Sequence, residues 1–168
     1  NGQTLTALSF CPKTARIPFG TTPLGSTRLM PSFGDEPMTR TVYVNGDYLP
    51  EGEAKVSIFD RGFLMADGVY EVTSVLDGKL IDFDGHVKRL ARSLKELEMT
   101  CPVSEAELLA MHRELVKRNG IDQGMIYLQV TRGNPGDRSF MFPDASLPGT
   151  IGAFAFFAPA RNRYIPLR

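Results

Sequence analysis

Charged and polar side chains gather at a few places in this sequence, at spacings that packing alone does not call for. In Asp60-Arg61-Gly62-Phe63, followed by Asp67-Gly68-Val69-Tyr70-Glu71, charges and glycines lead straight into a β-patterned run carrying a tyrosine and a carboxylate. A charged loop with a half-buried tyrosine would look the same. In Asp84-Gly85-His86-Val87-Lys88-Arg89-Leu90, His86 and Arg89 are three residues apart, on one face of a helix and close to its positive N-terminus. A guanidinium there could fork onto a phosphate; an exposed or salt-bridged helix arginine is the plainer alternative. Thr131-Arg132-Gly133 through Arg138-Ser139-Phe140 is a glycine-rich loop after a strand, presenting two arginines where a substrate carboxylate could be held. Solvated loop charges are the alternative here.

Other chemistries lack their parts. No GxGxxG follows a strand, there is no Walker-type phosphate loop and no HExxH, and His86 and His112 are the only histidines, so metal and Ser-His-Asp catalysis are not supported. Cys11 and Cys101 lie far apart without CxxC or Cys/His ligand spacing, which argues against a disulfide framework or a zinc site and for reduced, cytoplasmic thiols. Lysine plus arginine balances aspartate plus glutamate, so no overall field draws the chain to nucleic acid or an anionic membrane, and a small neutral or zwitterionic ligand fits better. No apolar run reaches the roughly 20 residues needed to span a bilayer, which leads us to expect a soluble protein.

The elements that must position these residues can be read from the pattern. Residues 1 to 37 are rich in Thr, Pro, Gly and Ser and carry no acid before Asp35; a disordered leader is expected there, a translated one being preferred to a transit peptide, with Met38 as the natural start. From Thr41 the chain alternates, and Asn45-Gly46 predicts a hairpin. A short strand is expected over Val56 to Phe59 and a longer one over Val69 to Leu76, turning at Asp77-Gly78. Asp84 is expected to cap a helix whose stripe is Val87, Leu90, Ala91, Leu94 and Leu97. Ser104 and Glu107 form a capping-box pattern before Leu108, Met111, Leu115 and Val116, with Asn119-Gly120 as the stop. Strands over Met125 to Thr131 and Thr150 to Phe157 complete an α+β domain, not a βαβ unit.

Taken in order, Val42-Tyr-Val-Asn-Gly46, Asp60-Arg-Gly-Phe63, Asp67-Gly-Val-Tyr-Glu71, His86-Val-Lys-Arg-Leu90, Tyr127 to Gly133 and Arg138 to Pro143 resemble the N-terminal domain of the class IV, fold-type IV aminotransferases, with the D-amino-acid transaminases as the nearest match. The resemblance covers about residues 38 to 157. It implies a small domain of an antiparallel sheet with two helices, packed against a larger C-terminal domain, with residues 158 to 168 beginning a linker or an aberrant tail. It also implies pyridoxal 5'-phosphate as cofactor, an amino acid and a 2-oxo acid as small-molecule partners, and a homodimer in the full-length form. Carried over by position, Arg89 would bind the cofactor phosphate, Tyr70 would line the pocket beside the cofactor, and Arg138 would receive the substrate α-carboxylate. Phe140 stands where arginine-x-histidine members of the family have histidine.

The resemblance places the cofactor-bearing lysine in the C-terminal domain, and Lys13, Lys55, Lys79, Lys88, Lys95 and Lys117 fall elsewhere, so no catalytic residue is assigned. The expectation is a small domain that is inactive by itself, from a parent enzyme interconverting D-amino acids and 2-oxo acids. A branched-chain aminotransferase, an aminodeoxychorismate lyase or a non-catalytic dimerisation module are the rival readings.

Overall fold

Where the sequence alternates, the chain is strand, with one exception. The computed structural model describes residues 40–158, so the expected leader over residues 1–37 and the tail from residue 159 lie outside the described residues. In chain order the elements are β1 (Thr41–Val44), β2 (Asp47–Pro50), α1 (Arg61–Met65), β3 (Gly68–Leu76), β4 (Lys79–Leu80), α2 (Phe83–Glu96), α3 (Glu105–Arg118), β5 (Gln123–Thr131) and β6 (Thr150–Phe157). The strands form one sheet in the order β2-β1-β6-β5-β3-β4, antiparallel at every pairing, which is the α+β class expected. Asn45 and Gly46 take φ of 50° and 108° and close the β1–β2 hairpin, the positive-φ pair that a two-residue hairpin turn requires.

The core lies between the sheet and the two long helices. Period-2 alternation sends Ile126, Leu128 and Val130 of β5 and Ile151, Ala153 and Ala155 of β6 to one face, where they meet Leu90 and Leu94 of α2 and Leu108, Met111 and Leu115 of α3. The small residues on β6 leave room for α3 to lie close. Ser104 accepts from the Glu107 backbone while the Glu107 carboxylate accepts from the Ser104 N–H at 2.7 Å, so the capping box of α3 is complete. His112 is buried in this layer with Nδ1 2.8 Å from the Leu108 carbonyl and its ring edge-on to Phe83; burial pushes its pKa down and keeps it neutral.

The structure departs from the sequence reading in three elements. Val56 to Phe59 is not a strand: it has no partner strand among the described residues, and Val56 and Ile58 are exposed, because a short apolar run without a neighbouring edge cannot satisfy its backbone as sheet. It leads instead into α1, which has too few residues to show a helical period, and whose N-cap Asp60 accepts from the Gly62 N–H at 2.8 Å. The N-cap of α2 is Asp82, in a left-handed conformation and without a side-chain capping bond; Asp84 sits inside the first turn, where its charge complements the helix dipole. The α2 stripe is also narrower than expected, with Val87, Leu90 and Leu94 buried and Ala91 and Leu97 exposed. Among the described residues, no helix is long and apolar enough to cross a membrane.

Candidate active site

Neighbouring residues on β3 face opposite ways, so Tyr70 and Glu71 part company. Glu71 turns with Thr73 and Val75 to the helix side, where its side chain is 5% exposed. A carboxylate buried there needs a cation and hydrogen bonds, and α2 provides both. Arg89 Nε donates to Oε1 at 2.7 Å and Nη2 to Oε2 at 2.6 Å, while His86 Nδ1 lies 2.9 Å from Oε2. An ionised carboxylate only accepts, so Nδ1 carries the proton. The 3.3 Å approach of Arg89 Nη2 to that same nitrogen is therefore a contact between two donors and not a bond. Burial works to raise the Glu71 pKa, but the bonds from Arg89 and His86 outweigh it and hold the carboxyl below its ordinary range. The Arg89 side chain remains 54% exposed, and its Nη1 has no hydrogen-bond partner among the described residues. One edge of the guanidinium is fixed on Glu71 and the other is exposed.

Tyr70 stands on the opposite face, exposed and stacked on Tyr127 at 5.6 Å, which stacks in turn on Phe154 at 5.2 Å. The outer edge of β3 pairs with β4 at Val75 and Leu76, and among the described residues no strand covers it near Tyr70 and Glu71. Glu71, through its hydrogen bonds first and its charge next, favours the charged form of the Arg89 guanidinium, and the Asp82 carboxylate adds to it.

The loop between β5 and β6 leaves the sheet at the end where β3 begins, since Thr131 pairs with Gly68 and with Thr150. Gly133, at φ 95°, starts it, and a Cβ there would run into the Pro148 carbonyl where the loop returns. Arg138 is exposed, with its guanidinium carbon 4.4 Å over the Phe140 ring, and it forms no ion pair among the described residues. Arg132 is not available in the same way. Its Nε donates to Asp67 Oδ2 at 2.8 Å and its Nη2 to the Leu97 carbonyl at 2.7 Å, at the C-terminus of α2. This corrects the expectation of two ligand-facing arginines in the loop. Arg61, buried with its side chain 5% exposed, donates from Nε to the same Asp67 oxygen at 2.7 Å. Burial tends to raise the Asp67 pKa, yet the bonds from Arg132 and Arg61 hold it below the usual carboxylate range. The structure thus brings Glu71, His86 and Arg89 together on the helix side of β3, sets Tyr70 on the opposite face, and places the loop bearing Arg138 at the same end of the sheet without joining it to them by any hydrogen bond among the described residues.

The family model for class IV amino-transferases matches residues 68–165, from the start of β3 onward. The chain belongs to the class IV aminotransferases. Among curated proteins it is 40% identical over 114 residues to a D-alanine aminotransferase of Staphylococcus haemolyticus, covering 68% of this chain and 40% of that protein. It is 39% identical over 123 residues to the D-alanine aminotransferase of Listeria monocytogenes serotype 4b, covering 73% and 43%. The chain therefore spans about two fifths of the length of these class IV relatives. Among solved class IV structures, the branched-chain amino acid aminotransferase of Escherichia coli superposes with a TM-score of 0.66 at 20% identity over 75% of this chain and 42% of that one. The T.th. enzyme of the same name, solved with pyridoxamine 5'-phosphate, gives 0.67 at 24% over the same shares. At such identities these two matches establish the fold.

Class IV aminotransferases use pyridoxal 5'-phosphate, and the residues present fit part of that group. A guanidinium with one edge anchored and one edge open suits a phosphate, and the exposed Tyr70 ring suits a planar heterocycle. Two residues that build the site carry no role in the sequence reading. Glu71 had a readable signal, because alternation puts it on the same face as Thr73 and Val75, and a carboxylate on a core face demands a cation such as Arg89. Arg61 stood in a motif the sequence singled out, but its partner was not readable, since only the fold brings residue 61 to the loop that begins at residue 132.

Proposed function

We propose that this chain is the cofactor- and substrate-gripping small domain of a D-amino-acid transaminase. Arg89 holds the phosphate of pyridoxal 5'-phosphate, Tyr70 lines the pocket beside it, and Arg138 receives the α-carboxylate of the amino acid or 2-oxo acid, in an enzyme that works as a homodimer. When bound, the cofactor supplies the electron sink that lets an amino group move between the two acids. This chain's residues bind and orient. The observation that carries the reading is the Glu71–Arg89 fork, which pre-orders a cation so that its second edge faces outward. The D-specific form rests on the 38–40% identity to D-alanine aminotransferases, against 20–24% to the branched-chain enzymes.

The test is a pair of variants in a protein extended to the length of its relatives. Arg89→Ala should weaken retention of the cofactor, and Arg138→Ala should lower kcat/KM for D-alanine while leaving cofactor affinity in place. A charge-assisted hydrogen bond contributes roughly 1.5 to 3 kcal/mol, so each defect should be about ten- to a hundredfold. Unchanged kcat/KM in Arg138→Ala would remove the carboxylate role, and with Arg132 committed to Asp67 no second loop arginine could take it over.

A further inference from the structure

The loop over residues 132–149 contains no helix or strand, and loops of that length in a compact domain are commonly mobile unless they are tied down for a function. Arg138, near its middle, has among the described residues no ion pair or hydrogen bond that would hold it beyond its own stack on Phe140 and the bond from its backbone N–H to the Asp137 carboxylate. Something else must set where it stands. Arg61 is the residue that reaches the loop at both its root and its far side. Its backbone N–H donates to the Gly133 carbonyl at 2.9 Å, and its Nη1 donates to the carbonyls of Ser139 at 3.0 Å and Met141 at 3.2 Å. The Arg61 and Arg132 guanidinium carbons lie 5.7 and 4.8 Å from the centre of the Phe142 ring, and both Nε groups share Asp67 Oδ2. The held Ser139 carbonyl belongs to the residue next to Arg138.

We propose that Arg61 is the positioning residue of the substrate arm: anchored on Asp67, it clamps Ser139, Met141 and Phe142 and so fixes where Arg138 is presented. The claim rests on the carboxylate-binding reading of Arg138. A lysine could not do this work, because it offers a compact point charge where the geometry uses a planar fork reaching a carboxylate on one side and two carbonyls on the other. The Arg61 side chain is 5% exposed, with Nε taken up by Asp67 and Nη1 by the carbonyls of Ser139 and Met141, so its effect passes through the arm.

Hydrogen exchange on the chain as it stands tests the anchor. Arg61→Lys should speed exchange across residues 134–147 by about tenfold or more, with β5 and α2 unchanged. Phe142→Ala, which removes an exposed ring and leaves the core intact, should do the same. Exchange that stays flat in Phe142→Ala, or rises equally in β5, would overturn the clamp. In the extended enzyme, Arg61→Lys should raise KM for the amino acid much more than it lowers kcat, and should add nothing further in an Arg138→Ala background, since residues acting through one contact are not additive. Additive penalties would sever Arg61 from Arg138. If Arg138→Ala alone leaves KM untouched, the carboxylate reading fails, while the exchange data still judge the anchor.

Discussion

Glu71 shows how much one side chain can organise. It is the acceptor for both the Nε and Nη2 of Arg89 and for His86, and its own burial makes the loss of these partners costly. Glu71→Gln should therefore lower stability at neutral pH by about 1.5 to 3 kcal/mol, read from the denaturant midpoint. Its pH dependence is fixed by sign. Glu71 and Asp67 both have native pKa values below their ordinary 4.5 and 3.8, so their contribution is whole above those values and is lost as pH falls through the native ones, where the unfolded chain takes up protons first. The stability gap between wild type and Glu71→Gln should accordingly shrink as the solution is acidified below 4.5. A gap that stays constant on acidification would mean the carboxylate is not ionised and paired in the native state.

At the scale of elements, the helices hold the sheet and the sheet holds the site. Leu115 is fully buried against the sheet, so Leu115→Ala should cost about 2 to 5 kcal/mol and lower the melting temperature sharply. Ser104→Ala removes the reciprocal cap of α3 and should cost about 0.5 to 2 kcal/mol, with no change in the packing of α2. Thermal melts of the two variants order them, and a larger loss from Ser104 would show that α3 depends more on its cap than on its buried face. By contrast α1 contributes little apolar burial; its Phe63 is exposed, and its role is to set Asp60 and Arg61. Asp60 is buried and accepts from Thr131 and Thr150 at 3.0 and 2.6 Å, fastening the start of α1 to the strand ends from which the loop leaves and to which it returns.

For the molecule as a whole, none of the lysines among the described residues is paired with the Glu71–Arg89 fork or the Asp67 cluster. Lys55, Lys79, Lys88, Lys95 and Lys117 are all exposed to solvent. Incubating the chain with pyridoxal 5'-phosphate, reducing with borohydride and mapping peptides should give scattered, substoichiometric labelling. One lysine labelled to completion would show a covalent site that the proposed division of labour does not contain.

Much of this was legible in the sequence because its causes are local. Asn45-Gly46 dictates a hairpin through backbone sterics, Ser104 and Glu107 announce a helix start, and alternation assigns Ile126, Leu128 and Val130 to one face. The ordered motifs also carried the family, and they named Tyr70, Arg89 and Arg138 as the residues to watch. What the tertiary structure decided were the pairings between distant parts of the chain. Arg89 could equally have been a solvated helix arginine until the register of β3 turned Glu71 toward it. Arg132 and Arg138 look alike in sequence, and only the approach of Asp67 and the end of α2 commits the first while leaving the second exposed. Val56 to Phe59 has the composition of a strand and no neighbour to pair with, because a strand is completed by another edge, and where that edge lies is settled by the whole fold.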